Sequence, residues 1–142
     1  MRYAVLACAL ARIDAPEREL RRMSARLRAP ADSRDLALLA LRHFDPIRLG
    51  AKLGPEALVA LLQACDAWRR PARFEQLLQA AGSVYASGAR PFAAAPRLLA
   101  ALRAARAVDA GAIAAREPEP HKIAARLRAE RVAAVKSALA AK

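Results

Sequence analysis

The chain of 142 residues carries a formal net charge of +12 and is 56% hydrophobic, which suffices for one modest domain but not for a second core of independent size. Charged residues at 27%, set among this much leucine and alanine, exclude a disordered polyelectrolyte. No uninterrupted apolar run reaches the roughly 18 residues of a membrane span, and a membrane partner is not expected.

Alanine makes up half of the hydrophobic share, with 40 residues, and aromatics only 4%. Alanine and leucine have the best helix propensities and β-branched residues are sparse, so the composition predicts an all-α fold, a compact bundle of about seven to eight helices. Arginine outnumbers lysine by 21 to 4, as in a GC-rich coding sequence, so part of the basicity follows from codon usage. Its distribution says more. Residues 1–66 carry 11 basic and 8 acidic side chains, net +3, whereas residues 67–142 carry 14 and 5, net +9. The second half is the candidate polyanion surface.

The first segment, Met1-Arg2 followed by a short apolar run, has the look of a signal peptide, but the run is only about nine residues long. Tyr3, Leu6, Ala7 and Leu10 fall at i, i+3, i+4 and i+7, which predicts a packed amphipathic helix instead. Pro16 suits a first helical turn, Glu17 and Glu19 complement the dipole there, and Leu20, Met23 and Leu27 form a stripe that ends near Pro30. Asp32 or Ser33 is expected to cap the next helix, with Leu36, Leu39, Ala40 and His43 on one face, and Asp45-Pro46 to break it. Gly54-Pro55-Glu56 starts another, with Leu58, Leu61, Leu62 and Cys65 buried. Pro71 opens the following helix, whose stripe is Phe74, Leu77, Leu78 and Ala81. Gly82 to Pro96 reads as a loop anchored by Tyr85 and Phe92. Pro96 begins a helix to about Ala107, Asp109 caps a short one, and the last starts at about His121. No internal repeat and no flexible linker is evident.

Catalytic constellations are scarce. His43 and His121 have no acidic, histidine or cysteine neighbour at metal-ligand spacing, and His43 reads as a hydrogen-bonded core residue. Cys8 and Cys65 cannot form a disulfide framework or a closed zinc site and read as small buried hydrophobes in a reducing cytoplasm. There is no nucleotide-binding glycine motif and no nucleophile elbow. Glu117 and Glu119 stand before a helix, where carboxylates favour the dipole. No catalytic residue, metal or cofactor is expected, nor an enzyme on these residues alone.

Basic chemistry is plentiful. Trp68-Arg69-Arg70-Pro71-Ala72-Arg73 places three guanidinium groups at a predicted helix N-terminus, where arginine and main chain together can hold a phosphate. Residues 76–108 contain no acid but four arginines, Arg90, Arg97, Arg103 and Arg106. On the last helix Lys122, Arg126 and Lys136 share a polar face opposite Ile123, Leu127, Val132, Val135 and Leu139. Arg128 and Arg131 fall inside the apolar arc and must snorkel, pair with a carboxylate, or face a partner. A solvated arginine surface is the plain alternative for all of these. Few aromatics and many arginines favour backbone contacts to structured RNA over base stacking.

The stretch Asp66-Ala67-Trp68-Arg69-Arg70-Pro71-Ala72-Arg73-Phe74-Glu75-Gln76 resembles the C-terminal region of bacterial CCA-adding tRNA nucleotidyltransferases, the multifunctional CCA proteins. Leu27-Arg28-Ala29-Pro30 with Arg34-Asp35-Leu36-Ala37-Leu38-Leu39 and His43 is similar to that family's R-V-P-x-x-x-R-D-L-A stretch and following histidine. Leu98 to Val108, then Ile123, Leu127, Arg131 and Val132 to Val135, is similar to its terminal helices. The resemblance implies an HD-derived helical part over residues 1–66 continuing into a body-and-tail-like, RNA-binding part over 67–142.

In that family a nucleotidyl-transfer head adds C, C and A to the tRNA 3′ end while helical parts grip the tRNA. The chain is too short for such a head and has none of its G-G-x-x-R-D or carboxylate motifs. Met1 to Arg12 resembles the helix bearing the metal-binding His-Asp pair, but Cys8 and Ala9 stand in its place, so phosphohydrolase activity is not expected. Gly82 and Val84 replace a family E-x-D, and Glu117, Pro120 and His121 align with a family G-x-x-G-P. The resemblance implies a non-catalytic module that binds tRNA or a structured RNA, with Arg69, Arg70 and Arg73 as the main phosphate contacts and Arg97, Arg103, Arg126 and Lys136 as secondary ones. The other reading is a subunit that complements a separate nucleotidyltransferase head.

Overall fold

A computed structural model of the chain describes residues 2–10, 14–85 and 92–141, the side chains of Arg2, Cys8, Ala9, Leu10 and Tyr85 apart. Among these residues there are nine α-helices and no strand: α1 (Arg2–Leu10), α2 (Pro16–Arg26), α3 (Ala31–Arg42), α4 (Phe44–Arg48), α5 (Pro55–Ala64), α6 (Pro71–Tyr85), α7 (Ala94–Arg106), α8 (Ala110–Arg116) and α9 (Pro120–Ala140). The fold is the all-α bundle that the composition predicts. The burial expected of Cys8 and the anchoring expected of Tyr85 concern side chains outside those described, as does the position of Arg90.

Proline fixes four of the helix starts, at Pro16, Pro55, Pro71 and Pro120, where a missing N–H costs nothing. Asp109 caps α8 as expected, its side chain accepting the Ala112 N–H at 2.9 Å. Neither Asp32 nor Ser33 caps α3. Pro30 takes the N-cap position with φ −55° and ψ 147°, so the helix begins at Ala31 and Asp32 lies in its first turn, where it still meets the dipole. α3 ends at Arg42, just ahead of Asp45-Pro46 as expected, but the chain turns at once into the short α4, whose third residue is Pro46, within the turn whose amides have no intrahelical acceptor. The described part of the expected loop from Gly82 is helical to Tyr85, with Ser83 Oγ donating to the Gln79 carbonyl at 2.9 Å, and α7 starts at Ala94 rather than Pro96.

Two left-handed residues close helices. Arg28 (φ 47°) and Asp66 (φ 50°) occupy the position after the C-caps of α2 and α5, where glycine is usual. The amides of Arg28 and Ala29 donate to Ala25 and Ser24 at 3.3 and 2.9 Å, and those of Asp66 and Ala67 to Gln63 and Leu62 at 3.0 and 2.9 Å. Both are Schellman turns that satisfy the last helical carbonyls.

Packing follows the stripes. α1 lies against α3 and α6, α2 against α3, and α9 against α5, α7 and α8. The main core runs from Ala4 of α1 through Leu36, Ile47, Leu58, Leu62, Phe74, Leu77 and Leu98 to Val135 of α9. A smaller cluster joins Ala7, Leu20, Ala37, Leu38 and Leu41, with Tyr3 at its edge. There the buried Ser24 hydroxyl donates to the Leu20 carbonyl at 2.6 Å and shares a 2.7 Å hydrogen bond with the Tyr3 hydroxyl. Alanine is interleaved with the larger side chains of both clusters, Ala37, Ala40, Ala67, Ala80, Ala101 and Ala105 each being 0–1% exposed.

Candidate nucleic-acid interface

The Schellman turn after α5 sets the entry to α6. Arg70 donates its N–H to the Asp66 carbonyl at 3.0 Å, and its own carbonyl accepts the Phe74 N–H at 3.2 Å, which makes it the residue from which the helix starts. Phe74, fully buried, pins this first turn to the core. Arg69 and Arg70 therefore stand just before the helix and Arg73 within its first turn, at the positive end of the dipole and beside amides that need partners outside the helix.

Arg69 and Arg70 both lean on Asp66, at 4.0 and 3.9 Å, with side chains 83% and 61% exposed. Ion pairs this long and this exposed are weak, so both guanidinium groups can exchange the carboxylate for a phosphate. On one side of α6, Arg103 and Arg106 of α7 face Pro71 and Glu75 across a cleft of about 540 Å³ floored by Leu99 and Leu102. On the other, Arg70, Arg73 and Gln76 share a cleft of about 270 Å³ with Asp32 and Asp35 of α3. Arg73 also lies near Cys65 and opposes the main effect there, burial, which pushes the thiol up to about 12.

Thus Arg69, Arg70, Arg73 and Arg103 gather around one helix start, joined by Arg106, to which the acid-free stretch of the sequence already pointed. Asp32 and Asp35 had no such signal, lying more than thirty residues upstream. The remaining sequence-expected residues line neither cleft. Arg97 is half-buried and donates from Nη2 to the Leu53 carbonyl at 2.9 Å, leaving its buried Nε without a partner. Arg126 pairs with Glu117 at 3.1 Å. The other carboxylate oxygen of Glu117 accepts the Glu119 N–H at 3.3 Å, and Glu119 in turn pairs with Lys122 and His121, so these acids organise the start of α9. Lys136 is exposed on α9 beside the buried Val135.

Arg131 resolves one of the open alternatives. Its guanidinium stacks 4.2 Å from the centroid of the half-buried Trp68 ring, tying α9 to the turn that carries Arg69 and Arg70, and burial pushes its pKa below the ordinary arginine value. His43 is half-buried where α3 meets α4, and burial together with Arg42 lowers its pKa. Among the described residues no group of three or more histidine, cysteine or acidic side chains is placed to hold a metal, and no helix is long and apolar enough to cross a membrane.

No family model and no solved structure matches the chain significantly. Curated proteins do. It is 43% identical over 121 residues to the multifunctional CCA protein of Azoarcus sp. (strain BH72), covering 82% of this chain and 29% of that one. Identity to the protein of the same name from Cupriavidus necator is 47% over 117 residues, 78% of this chain and 28% of the relative. For that of Burkholderia orbicola it is 45% over 127 residues, 85% and 30%. The chain is therefore a relative of the multifunctional CCA proteins, corresponding along about four-fifths of its own length to their C-terminal region and spanning only about 30% of theirs.

Proposed function

We propose that the chain is a non-catalytic RNA-binding module that grips tRNA or a tRNA-like stem by its phosphates at the start of α6. The observation that carries this reading is the gathering of Arg69, Arg70, Arg73, Arg103 and Arg106 around one helix N-terminus. Asp66, Glu75, Asp32 and Asp35 moderate the field, which favours a shape-guided grip over tight indiscriminate binding. Residues 67–142 form the RNA-binding part and residues 1–66 its support. Exposed Lys136 extends the binding surface along α9, and Arg126 and Arg97 join it by exchanging their present partners. The work is done in the cytoplasm without metal or cofactor.

Replacing Arg69, Arg70 and Arg73 together by alanine is expected to weaken tRNA binding several-fold or more. It should also flatten the dependence of log K on log salt by about one unit for each arginine–phosphate pair removed. Unchanged affinity and slope would sink the reading.

The relatives' greater length favours a second reading, a subunit that completes a separate nucleotidyltransferase head. Pull-down from nuclease-treated extract of the source cells separates the two. A head-containing protein retained after RNA digestion supports the subunit; loss of all partners on digestion supports the RNA grip.

A further inference from the structure

The first half of the chain has a basic cleft of its own. Arg21 and Arg28 from α2 and its closing turn, and Arg34 from the first turn of α3, surround about 390 Å³ whose other lining residues are Ser24, Ala25 and Ala29. No carboxylate lines it, whereas each of the clefts beside α6 contains at least one. Of the acids close by, Glu17 accepts from Arg42 through both oxygens, at 2.7 and 2.9 Å, and Asp35 stands 3.8 Å from Arg34 but lines the neighbouring cleft with Arg70 and Arg73. Three exposed arginines line one cleft; Arg34 has only the long Asp35 contact, a weak exposed pair, and the set is suited to a tetrahedral oxyanion, which arginine binds bidentately.

Two further details support the assignment. Arg28 sits at the left-handed position of a Schellman turn, where glycine is the unstrained choice, so a long cationic side chain is kept at a conformational cost. The N-terminal part of α3 borders both this cleft, through Arg34, and the Arg70–Arg73 cleft, through Asp32 and Asp35.

We infer that the Arg21–Arg28–Arg34 cleft is a phosphate-binding site. On the RNA-binding reading proposed above, on which this identification of the source rests, the phosphate belongs to the same RNA backbone held at α6.

Arg28→Gly tests this without endangering the fold, since it removes a guanidinium while giving the turn its preferred residue; Tm should rise by about 3 °C. Affinity for bulk bacterial tRNA should nevertheless fall about tenfold at low salt, and the salt slope should drop by about 0.8. Arg34→Gln should act in the same direction. Titration of inorganic phosphate, followed by the Nε–H signals of Arg28 and Arg34, separates the sources. Shifts at millimolar phosphate with tRNA affinity indifferent to both substitutions would assign the cleft to free phosphate. Absence of both the shifts and the affinity loss would overturn the site. If Arg28→Gly weakens tRNA binding while the Arg69/Arg70/Arg73 variant does not, the cleft stands and the α6 reading falls.

Discussion

Replacing Arg131 by methionine should leave stability unchanged or raise it, although Arg131 makes a close contact in the fold. Its guanidinium lies 4.2 Å from the Trp68 ring centroid, an interaction worth about 0.5–2 kcal/mol at partial burial. The same side chain buries Nε without a hydrogen-bond partner, which costs about 1–3 kcal/mol. Methionine removes both effects, keeps most of the apolar stem and restores about 0.3–1.5 kcal/mol through sulfur–aromatic contact. The balance runs from a loss of about 0.7 to a gain of about 4 kcal/mol, so Tm should hold or rise. Arg131→Ala also strips the stem from Trp68 and should be the worse variant by about 1–2 kcal/mol. Urea unfolding of both variants measures this, and a tRNA titration of Arg131→Met should show unchanged affinity and salt slope. A loss above about 2 kcal/mol in the methionine variant would mean that the ring contact outweighs the orphaned nitrogen. A stable methionine variant with weakened tRNA binding would refute the assignment of Arg131 to the fold.

Cys65 should resist alkylation in the native chain. Its thiol ordinarily titrates near 9.0 and is pushed to about 12 by burial, so roughly one molecule in ten thousand is thiolate at pH 8. Peptide mapping after iodoacetamide treatment, with and without urea, checks this. Between those values the unfolded chain binds fewer protons than the native one, so Cys65 contributes a fall in stability of about 1.4 kcal/mol per pH unit above pH 9. Cys65→Ala should remove that slope, and a slope that persists would place its origin elsewhere. Gly50→Ala should destabilise by about 1–3 kcal/mol, because a Cβ there would stand 2.8 Å from Leu98 Cδ1 and 3.0 Å from the Ile47 carbonyl oxygen. A urea midpoint equal to that of the wild type would show that α4 and α7 can move apart freely.

Helix starts were legible because proline at the first helical position is a local rule, and Pro16, Pro55, Pro71 and Pro120 all obey it. The rule misplaces a start where proline falls later in the first turn: Pro96 lies inside a helix that begins two residues earlier, at Ala94. Gly82 and Ser83 resembled a loop by composition, yet tertiary packing carries α6 through them. At the candidate site, the arginines around Pro71 were visible as a run, and Arg103 as a member of an acid-free stretch. Their surroundings were not. That Asp32 and Asp35 face Arg70 and Arg73, that Arg97 is committed to the Leu53 carbonyl, and that Arg131 lies over Trp68 are consequences of which helices pack together. Helical periodicity identifies the buried face of a helix but not the neighbour that covers it.

The alanine interleaved through the interior sets an unusual limit on how the sequence can drift. Positions such as Ala37, Ala67, Ala80 and Ala105 have almost nothing to lose by truncation, so the familiar large-to-small route to instability scarcely applies to them. Enlargement is another matter: where a methyl group is already fully enclosed, valine or leucine must displace its neighbours, and a conservative apolar exchange becomes the damaging one. A mutational bias that keeps supplying alanine is therefore harmless at these positions, though not at Leu58, Leu62 or Phe74, where truncation opens a cavity. Drift toward bulkier hydrophobic residues meets purifying selection on the interior before it meets any on the arginine surface.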